Sequence, residues 1–360
     1  MRSRRGPAVA LALVALGASL RGSAVSAAAE PTLAQLVGQR LIVAMKGKAP
    51  SPALLARVRA GEVGGVILFG ANVRTTAQVR ALTGAIRVAA RVGGQPAPLI
   101  MADQEGGGTR RFASAPPFRS AAELGGLSPA RLRGEGRATA AALRALGVNV
   151  DLAPVVDVPR SPGSFIAAQA RAFSTDPQRV ASLATAFAEG LADGHVAATA
   201  KHFPGLGRAR VSTDVVAVTI DATRAKLAAD LLPYSSLITA GVPLVMVSNA
   251  TYTALDPKPA AWSPAVQVLL RHTLGFAGVT ITDALDAVAP THHRSVAAAA
   301  VLSAQAGVDL LLVTGSEAES ESVYRRLVSA AGAGRIPRAG LERSYARIVA
   351  LKQQLATARG

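Results

Sequence analysis

The chain has 360 residues, half of them hydrophobic and only 4% aromatic. Its interior must therefore be built from Val, Leu, Ile and Ala, which suits layered helices and buried parallel strands in one large barrel or two smaller domains. The absence of cysteine excludes disulfides and a lipid-modified cysteine, and the formal net charge of +17 comes mostly from arginines scattered along helical stretches. Without a compact basic run or interleaved aromatics, nucleic acid is not an expected partner; surface solvation accounts for the charge, with an anionic envelope polymer as the better-suited macromolecular contact.

At the amino terminus Arg2, Arg4 and Arg5 precede an apolar run over 8–20, small residues follow around Val25-Ser26-Ala27, and no acid occurs before Glu30. Residues 1–27 read as a secretory signal peptide. The run is shorter than the ~20 residues of a spanning helix, so an uncleaved anchor is the lesser alternative, and Gly6-Pro7 weakens a twin-arginine reading of Arg4-Arg5. Residues 1–27 hold four arginines and no acid, which leaves about +13 of the formal +17 on the mature chain. A secreted or envelope-associated protein with no stable membrane insertion after cleavage is expected.

Beyond the signal, short β-branched segments alternate with longer Ala/Leu/Arg segments of helical period. Strands are expected at 40–45, 65–69, 98–102, 148–156, 196–200, 243–247, 278–282 and 308–313. Helices are expected at 52–60, 77–92, 129–146, 177–193, 222–240, 264–274 and 295–306, with 317–331 and 341–357 closing the chain. Several helices start with Ser-Pro or Asp-Pro, an N-cap followed by a first-turn proline. Eight βα units predict an α/β fold of the (β/α)₈ TIM barrel type. A doubly wound sheet fits less well, because no glycine-rich phosphate loop follows the first strand and polar residues occur after many strands. No repeat or linker is visible, so 28–360 reads as one domain, expected to be a monomer.

The residues just past each strand form a polar set: Asp103, Gln104 and Glu105 after the third, Asp151 and Asp157 around the fourth, Lys201 and His202 after the fifth, Ser248 and Asn249 after the sixth, Asp283 after the seventh. They should converge on one barrel mouth. Carboxylates, a cation and amide donors without a His/Cys cluster suit a neutral polyhydroxy ligand and no metal; no cofactor is expected. Asp283 directly follows a buried run, where a carboxylate costs several kcal/mol unless paired or hydrogen-bonded. Lys201 or His202 is the expected partner, and a helix N-cap on Ala284-Leu285 is the structural alternative.

These segments resemble glycoside hydrolase family 3. The resemblance is carried by Lys201-His202-Phe203-Pro204-Gly205, Asp103-Gln104-Glu105-Gly106-Gly107, and Gly278-Val279-Thr280-Ile281-Thr282-Asp283. It extends to Leu152-Ala153-Pro154-Val155-Val156-Asp157 and Arg171-Ala172-Phe173-Ser174, in collinear order along the mature chain. The chain is most similar to the short bacterial β-N-acetylglucosaminidases. The resemblance implies a TIM barrel and a retaining mechanism with Asp283 as nucleophile. It also implies that Asp103, Arg171, Lys201 and His202 grip the sugar, and that the substrate is β-linked N-acetylglucosamine in cell-wall fragments.

Two positions depart from the family pattern. Where short members carry Asp-Ser-His, with the His as acid/base and the Asp orienting it, this chain has Ser212-Thr213-Asp214. Asp214 is the expected replacement, since a carboxyl beside a second carboxylate can retain its proton. The alternatives are a catalytically impaired protein that binds amino sugars or muropeptides, or a different proton source or sugar specificity. The family's Glu-Gly-Gly-Arg is here Glu105-Gly106-Gly107-Gly108, with Arg110 or Arg111 placed to compensate, and His292 and His293 read as loop residues.

Overall fold

A computed structural model of the protein describes Met1 and residues 30–357. The expected signal peptide falls, apart from Met1, outside the described residues. Met1–Pro31 and Thr32–Gly360 are separate units, and among the described residues every strand and helix belongs to the second.

Eight short parallel strands carry the fold: β1 (Leu41–Ala44), β2 (Gly65–Ile67), β3 (Leu99–Ala102), β4 (Val150–Asp151), β5 (Thr199–Phe203), β6 (Leu244–Val247), β7 (Val279–Thr282) and β8 (Leu311–Val313). They pair as a ribbon in the order β8-β1-β2-β3-β4 and a second in the order β7-β6-β5. Isolated parallel bridges, Val150 with Ala197 and Ile281 with Leu310, link the two ribbons. This is an α/β fold of the TIM-barrel-like kind.

Period-two alternation sorts the buried strand residues. Ile42, Ile67, Met101, Leu152, Met246, Ile281 and Leu312 share one cluster, whereas Leu41, Val43, Val66, Ile100, Val245 and Leu311 belong to a second that includes helix residues. Burial on both faces explains why these segments read as unbroken apolar runs. The helices start where the sequence offers a cap: Thr75 Oγ1 accepts from Gln78 N, Ser128 Oγ from Arg131 N, and Asp176 Oδ1 from Gln178 N.

Three expectations are corrected. The fourth strand is far shorter than 148–156, because Pro154 has no N–H to offer a ladder. The expected helix 264–274 is helical nearly throughout but keeps α geometry only over Pro264–Val268; it continues as a π-helix over Leu269–Thr273, closed by Leu274 N on Leu269 O. The fifth strand does not end at Ala200. It runs to Phe203, so Lys201 and His202 lie within its last turn of pairing. One extra residue separates the Ala200–Val245 and Phe203–Val247 pairs, and such a bulge re-aims the side chains it carries.

Lys352, on the closing helix Arg338–Thr357, is buried. Its Nζ donates to Gln39 Oε1 at 2.6 Å and Gly64 O at 2.7 Å, with no carboxylate partner among the described residues. Burial pushes its ammonium down to about 7. Between that value and the ordinary lysine range the unfolded chain holds a proton that the folded chain does not, so this group makes stability rise with pH. Wild-type protein should therefore gain thermal stability relative to Lys352→Met as pH is raised from about 6 to 9. Parallel melting curves for the two proteins would contradict this. No helix among the described residues is long and apolar enough to cross a membrane.

Candidate active site

The carboxyl ends of the strands surround a cavity of about 480 Å³. Its floor is apolar, with Ile67, Leu152, Met246 and Leu312 from four strands or their ends, and its walls are charged.

One wall is a chain of alternating charges. The Lys201 ammonium lies 2.8 Å from Asp103 Oδ1 and 2.6 Å from Glu105 Oε1. Arg171 clamps Glu105 from the other side, with Nε and Nη2 each at 2.8 Å, and Arg111 Nη2 reaches Asp103 Oδ2 at 3.0 Å. Lys201 is only 2% exposed, a burial that its two carboxylates make tolerable. Burial pushes both acids up, but the cations outweigh it: Lys201 and Arg111 hold Asp103 well below the usual carboxylate range, and Lys201 with Arg171 brings Glu105 down to about 2. Burial lowers Lys201, yet Asp103 and Glu105 leave it above the ordinary lysine value. The cluster is ionised throughout the neutral range. Arg111 is the arginine that serves the wall, packed also against the Phe69 ring, whereas Arg110 turns to Phe118.

His202 lines the cavity beside this cluster. Its Nδ1 lies 2.7 Å from Asp157 Oδ2, while Asp157 Oδ1 accepts from the His202 and Leu206 amides. Asp157 thus fixes both the ring and the turn that follows, leaving Nε2 as the nitrogen free for a ligand.

Asp283 follows β7 and faces the same cavity. Its amide donates to Val247 O at 3.0 Å, and its Oδ1 accepts from Ala284 N at 2.8 Å. Lys201 and His202 do not pair with it, contrary to expectation, because Asp103, Glu105 and Asp157 already occupy them. Nor does Asp283 cap a helix, which begins only at Leu285 with Ala284 in the cap position. Burial pushes the Asp283 carboxyl up; the neighbouring His202 opposes this and Asp214 adds to it. Asp214 stands on the exposed loop after β5, lines the cavity with Ser212 and Thr213, and is held by Ser212 Oγ, which accepts from its amide at 3.1 Å.

Other members of the expected polar set act one layer back. Asp151 is fully buried and accepts from the Gln104 amide, and Gln104 Nε2 donates to Phe112, Ala115 and Pro116 carbonyls. Asn249 Nδ2 donates to Ala284 O, steadying the residue after Asp283, and Ser248 Oγ accepts from the Ala250 amide. His292 packs against Trp262, and neither it nor His293 lines the cavity. Asp286 was not foreseen. It lines the cavity and accepts from Thr314 N at 2.6 Å; its spacing of three from Asp283, on the first turn of a helix, is the signal that could have found it. Among the described residues no group of three or more His, Asp or Glu is arranged to hold a metal.

The profile of the Glycosyl hydrolase family 3 N terminal domain matches residues 32–351. The chain belongs to glycosyl hydrolase family 3. This family 3 chain is 36% identical over 333 residues to an uncharacterized secreted glycosyl hydrolase of Arthroderma benhamiae, covering 90% of this chain and 94% of that relative. It is 37% identical over 297 residues to a beta-hexosaminidase of Stenotrophomonas maltophilia, covering 78% and 85%. Among solved structures, a family 3 beta-N-acetylglucosaminidase from Paenibacillus sp. superposes with a TM-score of 0.88 at 32% identity, covering 92% of this chain and 64% of that one. This chain thus spans less than two thirds of that protein's length. A beta-N-acetylhexosaminidase from Beutenbergia cavernae superposes with a TM-score of 0.84 at 33% identity, covering 91% of this chain and all of that one.

Proposed function

We propose that this glycoside hydrolase is an exported, retaining β-N-acetylhexosaminidase that removes β-linked N-acetylglucosamine from peptidoglycan-derived fragments. The observation that carries the reading is the presence of two carboxylates, Asp283 and Asp214, on the walls of one cavity whose third wall is the charged Asp103–Lys201–Glu105–Arg171 chain. Asp103, Arg171, Lys201 and His202 grip the sugar hydroxyls, with Arg111 compensating for Gly108. The Asp283 carboxylate attacks the anomeric carbon and the bond to the leaving oxygen breaks as Asp214 gives that oxygen its proton. The Asp214 carboxylate then takes a proton from water, whose oxygen displaces Asp283 and restores the free enzyme. The amino-sugar specificity is supported by relatives named for it, and export by the arginine-led apolar amino terminus and a relative named as secreted. The strands close into an eight-stranded barrel, a reading supported by the chain-order neighbours and the isolated bridges between ribbons. The mature chain is one domain and a monomer.

The test is turnover on a panel of N-acetylglucosaminides, glucosides and wall fragments, with a slow fluorinated N-acetylglucosaminyl donor to trap the intermediate. Release of N-acetylglucosamine and a labelled peptide containing Asp283 are expected. Saturable sugar binding with neither release nor label would identify a binding protein instead.

A further inference from the structure

The loop that carries Asp214 is fastened at its root. Gly205 O accepts from Tyr252 Oη at 3.0 Å, Gly207 O from Arg160 N at 3.2 Å, and Ala209 O from Phe165 N at 3.0 Å. Gly207 lies so close to the preceding segment that a Cβ there would come 2.0 Å from Val158 O, so only glycine fits. Past this root Arg210, Val211 and Asp214 through Ala217 are exposed.

Asp230 stands at the junction. It belongs to the helix Arg224–Thr239, is 3% exposed, and does not line the cavity. Its Oδ1 accepts from Arg160 Nε at 2.5 Å and its Oδ2 from Arg208 Nε at 2.8 Å; Arg208 Nη2 also donates to Lys226 O at 3.0 Å. A single buried carboxylate thereby joins the segment after β4 to half-buried Arg208 in the root, two residues before the exposed stretch begins at Arg210. Two charge-assisted bonds through fixed planar guanidiniums are directional as well as strong.

We propose that Asp230 is a positioning residue for proton transfer: its grip on Arg208, braced by Arg160, sets the direction in which residues 210–217 leave β5 and hence where Asp214 meets the leaving oxygen. The inference rests on the reading of Asp214 as acid/base. Displacement of a reacting group by about 1 Å can cost on the order of 100-fold in rate, so a clamp remote from the sugar can govern the step.

The test exploits leaving groups. A dinitrophenyl glycoside departs without protonation, whereas an alkyl or sugar leaving group needs it. Arg208→Gln keeps the Arg160–Asp230 pair and removes the root's bonds to Asp230 and to Lys226 O. It should lower kcat/KM roughly 10- to 100-fold on N-acetylchitobiose and less than about twofold on the dinitrophenyl N-acetylglucosaminide. Asp230→Asn should repeat the pattern, and Arg208→Lys should recover part of the loss. Equal losses on both substrates would mean a merely structural role and overturn the inference. Asp214→Ala, run in parallel, separates the failures: the leaving-group pattern there but not in Arg208→Gln overturns the clamp alone, and its absence in Asp214→Ala overturns the acid/base reading and the clamp with it. A second readout needs no turnover. Amide exchange over 210–217 should speed about fivefold or more in Arg208→Gln while β5 stays protected; unchanged exchange in that segment would overturn the proposal.

Discussion

Asp283→Asn should lose turnover by a factor on the order of 10⁴ on every substrate, whatever the leaving group, while sugar binding persists. The amide cannot form the proposed glycosyl ester, but the cluster of Asp103, Lys201, Glu105 and Arg171 is tied together without Asp283, so this wall should keep its geometry. Steady-state kinetics and a binding titration with N-acetylglucosamine check the two halves separately. Activity within about tenfold of wild type would remove Asp283 from the mechanism. The pH dependence follows from its surroundings. In the proposed mechanism Asp283 attacks as the carboxylate, and burial, with Asp214 adding to it, raises its carboxyl. The acid limb of kcat/KM on the dinitrophenyl substrate, where no general acid is needed, should lie above the ordinary aspartate range, with activity falling as pH drops through it.

Removing Asp214 should have the second largest effect, and it should be selective. Asp214→Ala is expected to lower kcat/KM by roughly 10²- to 10⁴-fold on poor leaving groups and little on dinitrophenyl glycosides. On the dinitrophenyl substrate, whose glycosylation needs no acid and whose turnover is then limited by deglycosylation, added azide, which attacks the glycosyl-enzyme without a general base, should raise kcat and yield a β-glycosyl azide. The same class of substitution tests the electrostatic link. Asp214 raises Asp283, so Asp214→Asn should move the acid limb on the dinitrophenyl substrate to lower pH. A limb that stays in place, or moves upward, would contradict the coupling.

Much of the fold was legible because buried parallel strands leave a coarse mark: all eight expected segments contain or overlap a strand, and the Ser-Pro and Asp-Pro starts fall on real helix caps. What failed depended on pairing between distant residues. Nothing local told Ala200 from Phe203 as the end of β5, because the bulge against β6 exists only in the pair. The same holds within the site. Asp103, Lys201, His202 and Asp283 were readable from their positions at strand ends, whereas the partners were not: Lys201 or His202 was expected to pair with Asp283, and the fold gives both to other acids, Asp103, Glu105 and Asp157. The sequence placed Asp214 in a loop, but its anchor, Asp230, lies in a helix segment with no motif to single it out.

The alternating wall has a consequence for how a sugar would be held. Every ion in Arg111–Asp103–Lys201–Glu105–Arg171 already has a neighbour of opposite sign within 3.0 Å. A hydroxyl meeting this wall finds dipoles that are oriented before it arrives and no unpaired ion to neutralise, so docking against it releases few counterions. Part-buried pairs at this range are poorly screened by dissolved salt. The affinity for a neutral amino sugar should therefore be nearly indifferent to ionic strength, although the protein as a whole is strongly basic.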